Sequence, residues 1–259
     1  MVAFLSKRDI LFLSFVAAFF LTGCGTLVYN SATQRREFIT ISTQEEINMG
    51  KSIHQGVLKG CPLSMDKTQV DRLNRVGEKV ALVSDRQDYK YKFFLIEKNE
   101  LNAFTTPGGN IYVYTGLMHQ LTSDDELAGV VAHEIGHCAA RHVVKKFQAS
   151  RGYDAIRSVL GYVRMGAAAR YIASWSSNIL MNLVFSSYSR QDEYEADRLG
   201  IKYMYLAGFN PDGMIQTLGI LKKESKGPQG PVILRSHPYL EDRIKAAQDE
   251  VVKVRKQFS

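Results

Sequence analysis

The sequence predicts an α+β fold, mainly helical around one small sheet. Three observations lead there. Two capping-box patterns open amphipathic helices, a cluster of alternating apolar residues around Pro107-Gly108-Gly109-Asn110 reads as strands, and the C-terminal third returns to helical periodicity. A chain of 259 residues, 45% hydrophobic and 23% charged, can bury a core, which excludes disorder, collagen and a disulfide-stapled miniprotein. Few prolines and no Ser/Gly-rich linker favour one compact body with an appendage. Lys and Arg outnumber Asp and Glu, 33 to 26, but they are scattered, so no nucleic-acid partner is expected.

The appendage comes first. Lys7 and Arg8 precede an apolar run, Ile10 to Leu21, too short to span a bilayer and of signal-peptide length. The run ends in Leu21-Thr22-Gly23-Cys24, which resembles the bacterial lipobox; residues 1–23 would be a lipoprotein signal peptide and Cys24 the lipidated N-terminus. Gly25 rather than Asp follows, and by resemblance to enterobacterial lipoproteins this implies the outer membrane, facing the periplasm. Residues 24–42, polar from Thr26 to Thr40, read as a membrane tether, leaving 43–259 as the folded domain. Cys61 and Cys138 could pair in an oxidising compartment, but only geometry decides it.

Thr43 and Glu46 form the first capping box, opening a helix to about Leu58; a second helix runs from about Asp66 to Val83. Tyr89, Tyr91, Phe93 and Leu95 alternate into a strand, and the Pro-Gly-Gly-Asn turn separates Leu101–Thr105 from Ile111–Thr115. Ser123 and Glu126 cap a helix expected to continue to about Phe147. Residues 159–185 are amphipathic, with Arg164, Arg170, Ser174 and Asn178 interrupting any membrane-spanning run, and could form a lid or pack as core. Helices then cover Ser189–Ala207, a segment opened by Asn210-Pro211, and Glu241–Lys256.

His133-Glu134-Ile135-Gly136-His137 spells H-E-x-x-H on the helix that Ser123 opens. The i, i+4 spacing places both imidazoles on one face, able to converge on a zinc ion, with Glu134 beside the water it would activate. A third ligand is required. A histidine six residues past His137 would fall at Val143, and His142 is one position off, so a later carboxylate is needed. Glu193 and Asp197, four apart on the Ser189 helix, could both be aimed at the metal, whereas Glu195 points elsewhere.

HEIGH followed by SRQDEYEADRLG, with LNAFTTPGGNIYVYTGLM upstream and SHPYLEDRI downstream, resembles the HtpX-like and CAAX-prenyl-protease family of zinc metallopeptidases, especially its periplasmic lipoprotein branch. The resemblance implies a zincin-like domain beside the small sheet, with one Zn2+ per chain. It implies Glu193 as third ligand, Asp197 just behind the ligands, and His237 and Arg243 near the metal, where either could stabilise an oxyanion. The long transmembrane insertions of the integral-membrane members are absent, so their intramembrane substrates are not implied. Asn102 and the strand near Ile111–Tyr114 could hold a substrate as an added strand. The expected activity is endopeptidase action on misfolded or unassembled envelope polypeptides, with envelope assembly machinery as a possible partner; the alternative is a membrane-tethered chaperone or scaffold.

Overall fold

The computed structural model describes residues 26–150, 177–227 and 230–258. The expected signal segment with Cys24, and most of the 159–185 stretch, lie outside the described residues. Among the described residues no helix is long and apolar enough to cross a membrane.

The described residues open with a hairpin, β1 (Thr26–Asn30) and β2 (Arg35–Ile39), antiparallel with Leu27 opposite Phe38 and Tyr29 opposite Arg36. This differs from the polar tether expected there. Its strands are five residues long and place Leu27, Tyr29 and Phe38 outward, so no core-facing period betrays them in the sequence. The inner face is docked: Glu37 pairs with Lys145 and Arg35 with Glu195, and Asn30 reaches the Ala139 carbonyl.

Helix α1 (Thr43–Gly60) starts one residue earlier than its sequence cap suggests. Ser42, not Thr43, is the N-cap, in a capping box with Glu45. Glu46 is freed for a buried ion pair with Arg86 at 2.8 Å and another with Arg141. Helix α2 (Lys67–Leu82), capped by Asp66, leads into β3 (Lys92–Ile96), β4 (Ala103–Thr106) and β5 (Asn110–Tyr114). The sheet order is β3-β5-β4, with β3 parallel and β4 antiparallel to β5. Gly108 and Gly109 make the β4–β5 turn at φ of 76° and 80°, a conformation that costs other residues strain.

Alternate strand residues serve two cores. Phe93, Leu95, Ala103, Ile111 and Val113 pack towards α2 and α4 (Asp124–Ala139), while Ile96, Phe104, Tyr112 and Tyr114 join Ile53, Val57, Val144 and Val184 on the other face. Short α3 (Thr115–Gln120) connects sheet to α4. Helix α5 (Ser177–Val184) is followed by Phe185, whose ring lies 4.9 Å from Phe104 of β4. Then come α6 (Arg190–Leu206), α7 (Asp212–Glu224), the single turn α8 (Ile233–Ser236) and α9 (Leu240–Phe258).

The helix expected to run unbroken from Ser123 to Phe147 is interrupted. α4 ends at Ala139, Arg141 takes φ of 59°, and helical structure resumes over residues 142–150. Neither glycine nor proline marks the break, because the Arg141 side chain holds it, donating to the Ile41 carbonyl and pairing with Glu46. Cys61 and Cys138 are free thiols.

Candidate metal centre

Helix α4 is fixed from its N-terminus by reciprocal capping between Ser123 and Glu126 and carries three carboxylates in its first turn. Leu127, Val131, Ala132 and Ile135 are fully buried, which sets the helix rotation and turns the His133–His137 face towards α6. The two helices cross closely because glycine permits it: a Cβ at Gly136 would stand 2.7 Å from the Ala196 carbonyl oxygen. Helix α6 therefore brings Glu193 and Asp197 over the histidines, the turn before α9 adds His237, and the first turn of α9 adds Arg243.

Donor atoms of His133, His137, Glu193 and His237 all lie within 4.8 Å of one another, and all four residues are buried. His133 Nε2 is 3.0 Å from His137 Nε2 and 3.1 Å from His237 Nδ1; Glu193 Oε1 is 3.4 Å from His137 Nε2 and 3.0 Å from His237 Nδ1. A tetrahedral zinc with ligands at about 2.0–2.1 Å has edges of roughly 3.3–3.4 Å. The donor set fits a small divalent cation in spacing and in chemistry.

The hydrogen-bond network assigns which nitrogens face the centre. His133 Nδ1–H donates to Asp197 Oδ1 at 2.8 Å, leaving Nε2 with its lone pair inward. His142 Nε2–H donates to Glu195 Oε2 at 3.2 Å, so His142 Nδ1 accepts from His137 Nδ1–H at 2.8 Å, and His137 Nε2 also faces inward. Burial pushes the His137 pKa well down, favouring the neutral imidazole. Burial would raise the Glu193 carboxyl, but Arg243 and His237 beside it hold it well below the carboxylate range. Neutral His137 and ionised Glu193 are the protonation states a metal requires.

Arg243 is committed to carboxylates. Its Nε and Nη2 each donate to Asp197 at 2.7 Å, and Nη1 lies 2.5 Å from Glu193 Oε2. A guanidinium held by two buried carboxylates orients them. His237 stands among the donor atoms themselves, with Nε2 3.7 Å from Glu134 Oε1. Both carboxylate oxygens of Glu134 are buried with no hydrogen-bond partner among the described residues, and burial raises the pKa of the group. A desolvated carboxylate that accepts no hydrogen bond, beside a candidate metal site, can take a proton from a water placed between them.

Asn102 departs from expectation. It is buried, and its backbone carbonyl accepts from Tyr114 N at 3.0 Å. The strand 111–114 is the middle of the sheet, hydrogen-bonded on both sides, so neither can pair with an added strand. The outer side of β3 is partly covered by residues 62–64 through the Leu63–Ile96 bridge. The sheet edge beside α4 is β4, where Thr105 Oγ1 lies 2.7 Å from Cys138 Sγ.

Four residues at the site escaped the sequence. His142 and Glu195 support His137, and Tyr188 stacks on the His137 ring at 3.9 Å while Lys146 Nζ lies 3.4 Å from the centre of the Tyr188 ring. Only the nearness of His142 to the motif signalled it; the break at Arg141 is what turns it back.

Residues 67–251 match the model of peptidase family M48. The chain is 28% identical to the beta-barrel assembly-enhancing protease of Escherichia coli over 222 residues, 83% of this chain and 46% of that protein. It is 30% identical to the metalloprotease LoiP of Escherichia coli, covering 70% of this chain and 69% of the relative. It is 28% identical to the mitochondrial metalloendopeptidase OMA1 of Schizosaccharomyces pombe, covering 86% and 66%. The chain spans just under half the length of the beta-barrel assembly-enhancing proteases it matches.

Proposed function

The chain belongs to peptidase family M48 and is a metalloprotease, and on that premise we propose that it is a zinc endopeptidase tethered to the bacterial envelope through Cys24. Its proposed substrates are misfolded or unassembled envelope proteins, and the resemblance to proteins named for beta-barrel assembly extends this to outer-membrane β-barrels. The observation that carries the chemistry is the convergence of His133, His137 and Glu193 beside the Glu134 carboxylate, which accepts no hydrogen bond among the described residues.

In this reading His133 Nε2, His137 Nε2 and a Glu193 oxygen would hold one zinc, which would supply a Lewis acid that lowers the pKa of water and polarises a peptide carbonyl. Glu134 takes the proton of the attacking water and delivers it to the leaving amine, a task suited to a carboxyl raised by burial. Asp197 and the His142–Glu195 pair fix the two imidazoles, and Arg243 holds Asp197 and Glu193 in place. His237 occupies a donor position in this structure; displaced from it, the residue can donate to the developing oxyanion. The substrate chain lies along the outer edge of β4, where backbone bonds bind without reading side chains.

Hydrolysis of casein by the purified chain tests the activity. Cleavage should stop with a zinc chelator and return with zinc, and a rate insensitive to chelation would refute the reading. Loss of radiolabelled palmitate incorporation in Cys24→Ser tests the anchor.

A further inference from the structure

The outer face of the N-terminal hairpin is an apolar surface with no partner among the described residues. Cross-strand pairing places Leu27 beside Phe38 and Tyr29 beside Arg36, and alternation puts all four on one face. Leu27 is 65% exposed, Tyr29 61% and Phe38 58%, side by side on two five-residue strands. The opposite face carries the ion pairs that clamp the hairpin to the body, Arg35 with Glu195 and Glu37 with Lys145.

We propose that this face rests on the bilayer surface, with Leu27, Tyr29 and Phe38 among the lipid headgroups and Arg36 on their phosphates. The proposal rests on the reading of Cys24 as lipidated and follows from covalent reach. Thr26, where β1 starts, is two residues after Cys24, so their Cα atoms are at most about 7 Å apart. Acyl chains on Cys24 put that residue at the headgroup level, and the hairpin then has no slack with which to leave the membrane. The surface that arrives there has interfacial composition: two aromatic rings, an aliphatic side chain and a cation, the set that partitions about 5–10 Å into the headgroup boundary. The domain is not hung on the flexible spacer that the polarity of residues 26–40 suggests, but is clamped to the bilayer through a docked element. That element reaches the metal centre by contact, since Glu195, the partner of Arg35, also holds His142.

The test uses the lipidated full chain in vesicles of phosphatidylethanolamine and phosphatidylglycerol brominated near the top of the acyl chains. Phe38→Trp is compared with Met65→Trp, both in a Trp175→Phe background. Met65 is 93% exposed before α2, whose far end leads to the Asp85 carbonyl that binds Ser31 of the hairpin. Tyr29→Trp repeats the reading should Phe38→Trp melt below the parent. The expected result is quenching at positions 38 and 29 at least about threefold stronger than at 65, as interfacial insertion demands. Palmitate-labelled protein with equal quenching at 38 and 65 overturns the proposal while leaving lipidation intact. Absence of label overturns the lipidation reading and the proposal with it. Blue-shifted emission of the Phe38→Trp variant in detergent together with a dimeric mass gives the face to a second copy and overturns the proposal.

Discussion

Replacing Glu134 by Gln keeps the size of the side chain and removes its capacity to take a proton. With no hydrogen-bond partner to lose among the described residues, Glu134→Gln should leave the fold and zinc content unchanged and lower kcat by about 10²–10⁴-fold. Zinc analysis beside casein hydrolysis reads both, and full activity in this variant would refute the mechanism. His142 calls for a different readout, because it acts through His137. His142→Ala leaves the His137 Nδ1–H unpaired and should weaken zinc affinity about 10–100-fold, measured by competition with a chromophoric chelator. His142→Asn, whose amide oxygen can accept the same hydrogen, should recover part of that loss; unchanged affinity in His142→Ala would dismiss the orienting role. The sequence displayed these residues unequally. Spacing singled out His133, Glu134 and His137 and paired Glu193 with Asp197 on one helix face, whereas resemblance gave that pair its roles and added His237 and Arg243. His142 and Glu195 meet only through a backbone turn at Arg141 whose cause, the buried Glu46, lies about a hundred residues upstream.

Among the elements, those legible in sequence have their signals within a few residues: Ser123 with Glu126, and Gly108-Gly109 between two strands. The sheet order was not legible, because β5 lies between β3 and β4 through pairings that no local pattern encodes. The hairpin was hidden for another reason: beside the buried Ala32 and Ile39, it is docked by ion pairs to distant helices, which no apolar period announces. This makes its docking sensitive to acid. Burial would raise the Glu37 carboxyl, but Lys145, Asn30 and Thr33 hold it below its ordinary value of 4.5. A carboxyl depressed in the folded state stabilises fully above its unfolded pKa, and the contribution is lost as pH falls through the depressed value. Amide exchange in residues 26–39 should therefore be slow at neutral pH and accelerate, relative to the intrinsic rate, below about pH 4.5. Glu37→Gln should show faster exchange already at pH 7 and a flatter pH dependence; identical profiles would disprove the clamp.

On the scale of the whole molecule, the metal centre is also a junction. Its donors come from α4, from α6 and from the turn before α9, three segments far apart in sequence that also share a core through Ile135, Leu199 and Ala247. Zinc bound there is linked to folding, since a ligand held only by the native state stabilises it in proportion to the logarithm of its excess. At 1,000-fold over Kd the contribution is about 4 kcal/mol. For a domain of this size about 2–4 °C accompanies each kcal/mol, so chelation should lower Tm by roughly 10 °C. Zinc should restore it in the wild type and in Glu134→Gln, which keeps every donor. His133→Ala removes a donor and should melt near the chelated wild type with little response to zinc. A melting temperature indifferent to chelation in the wild type would mean that these helices are held by their core and ion pairs alone, and that the centre does not join them.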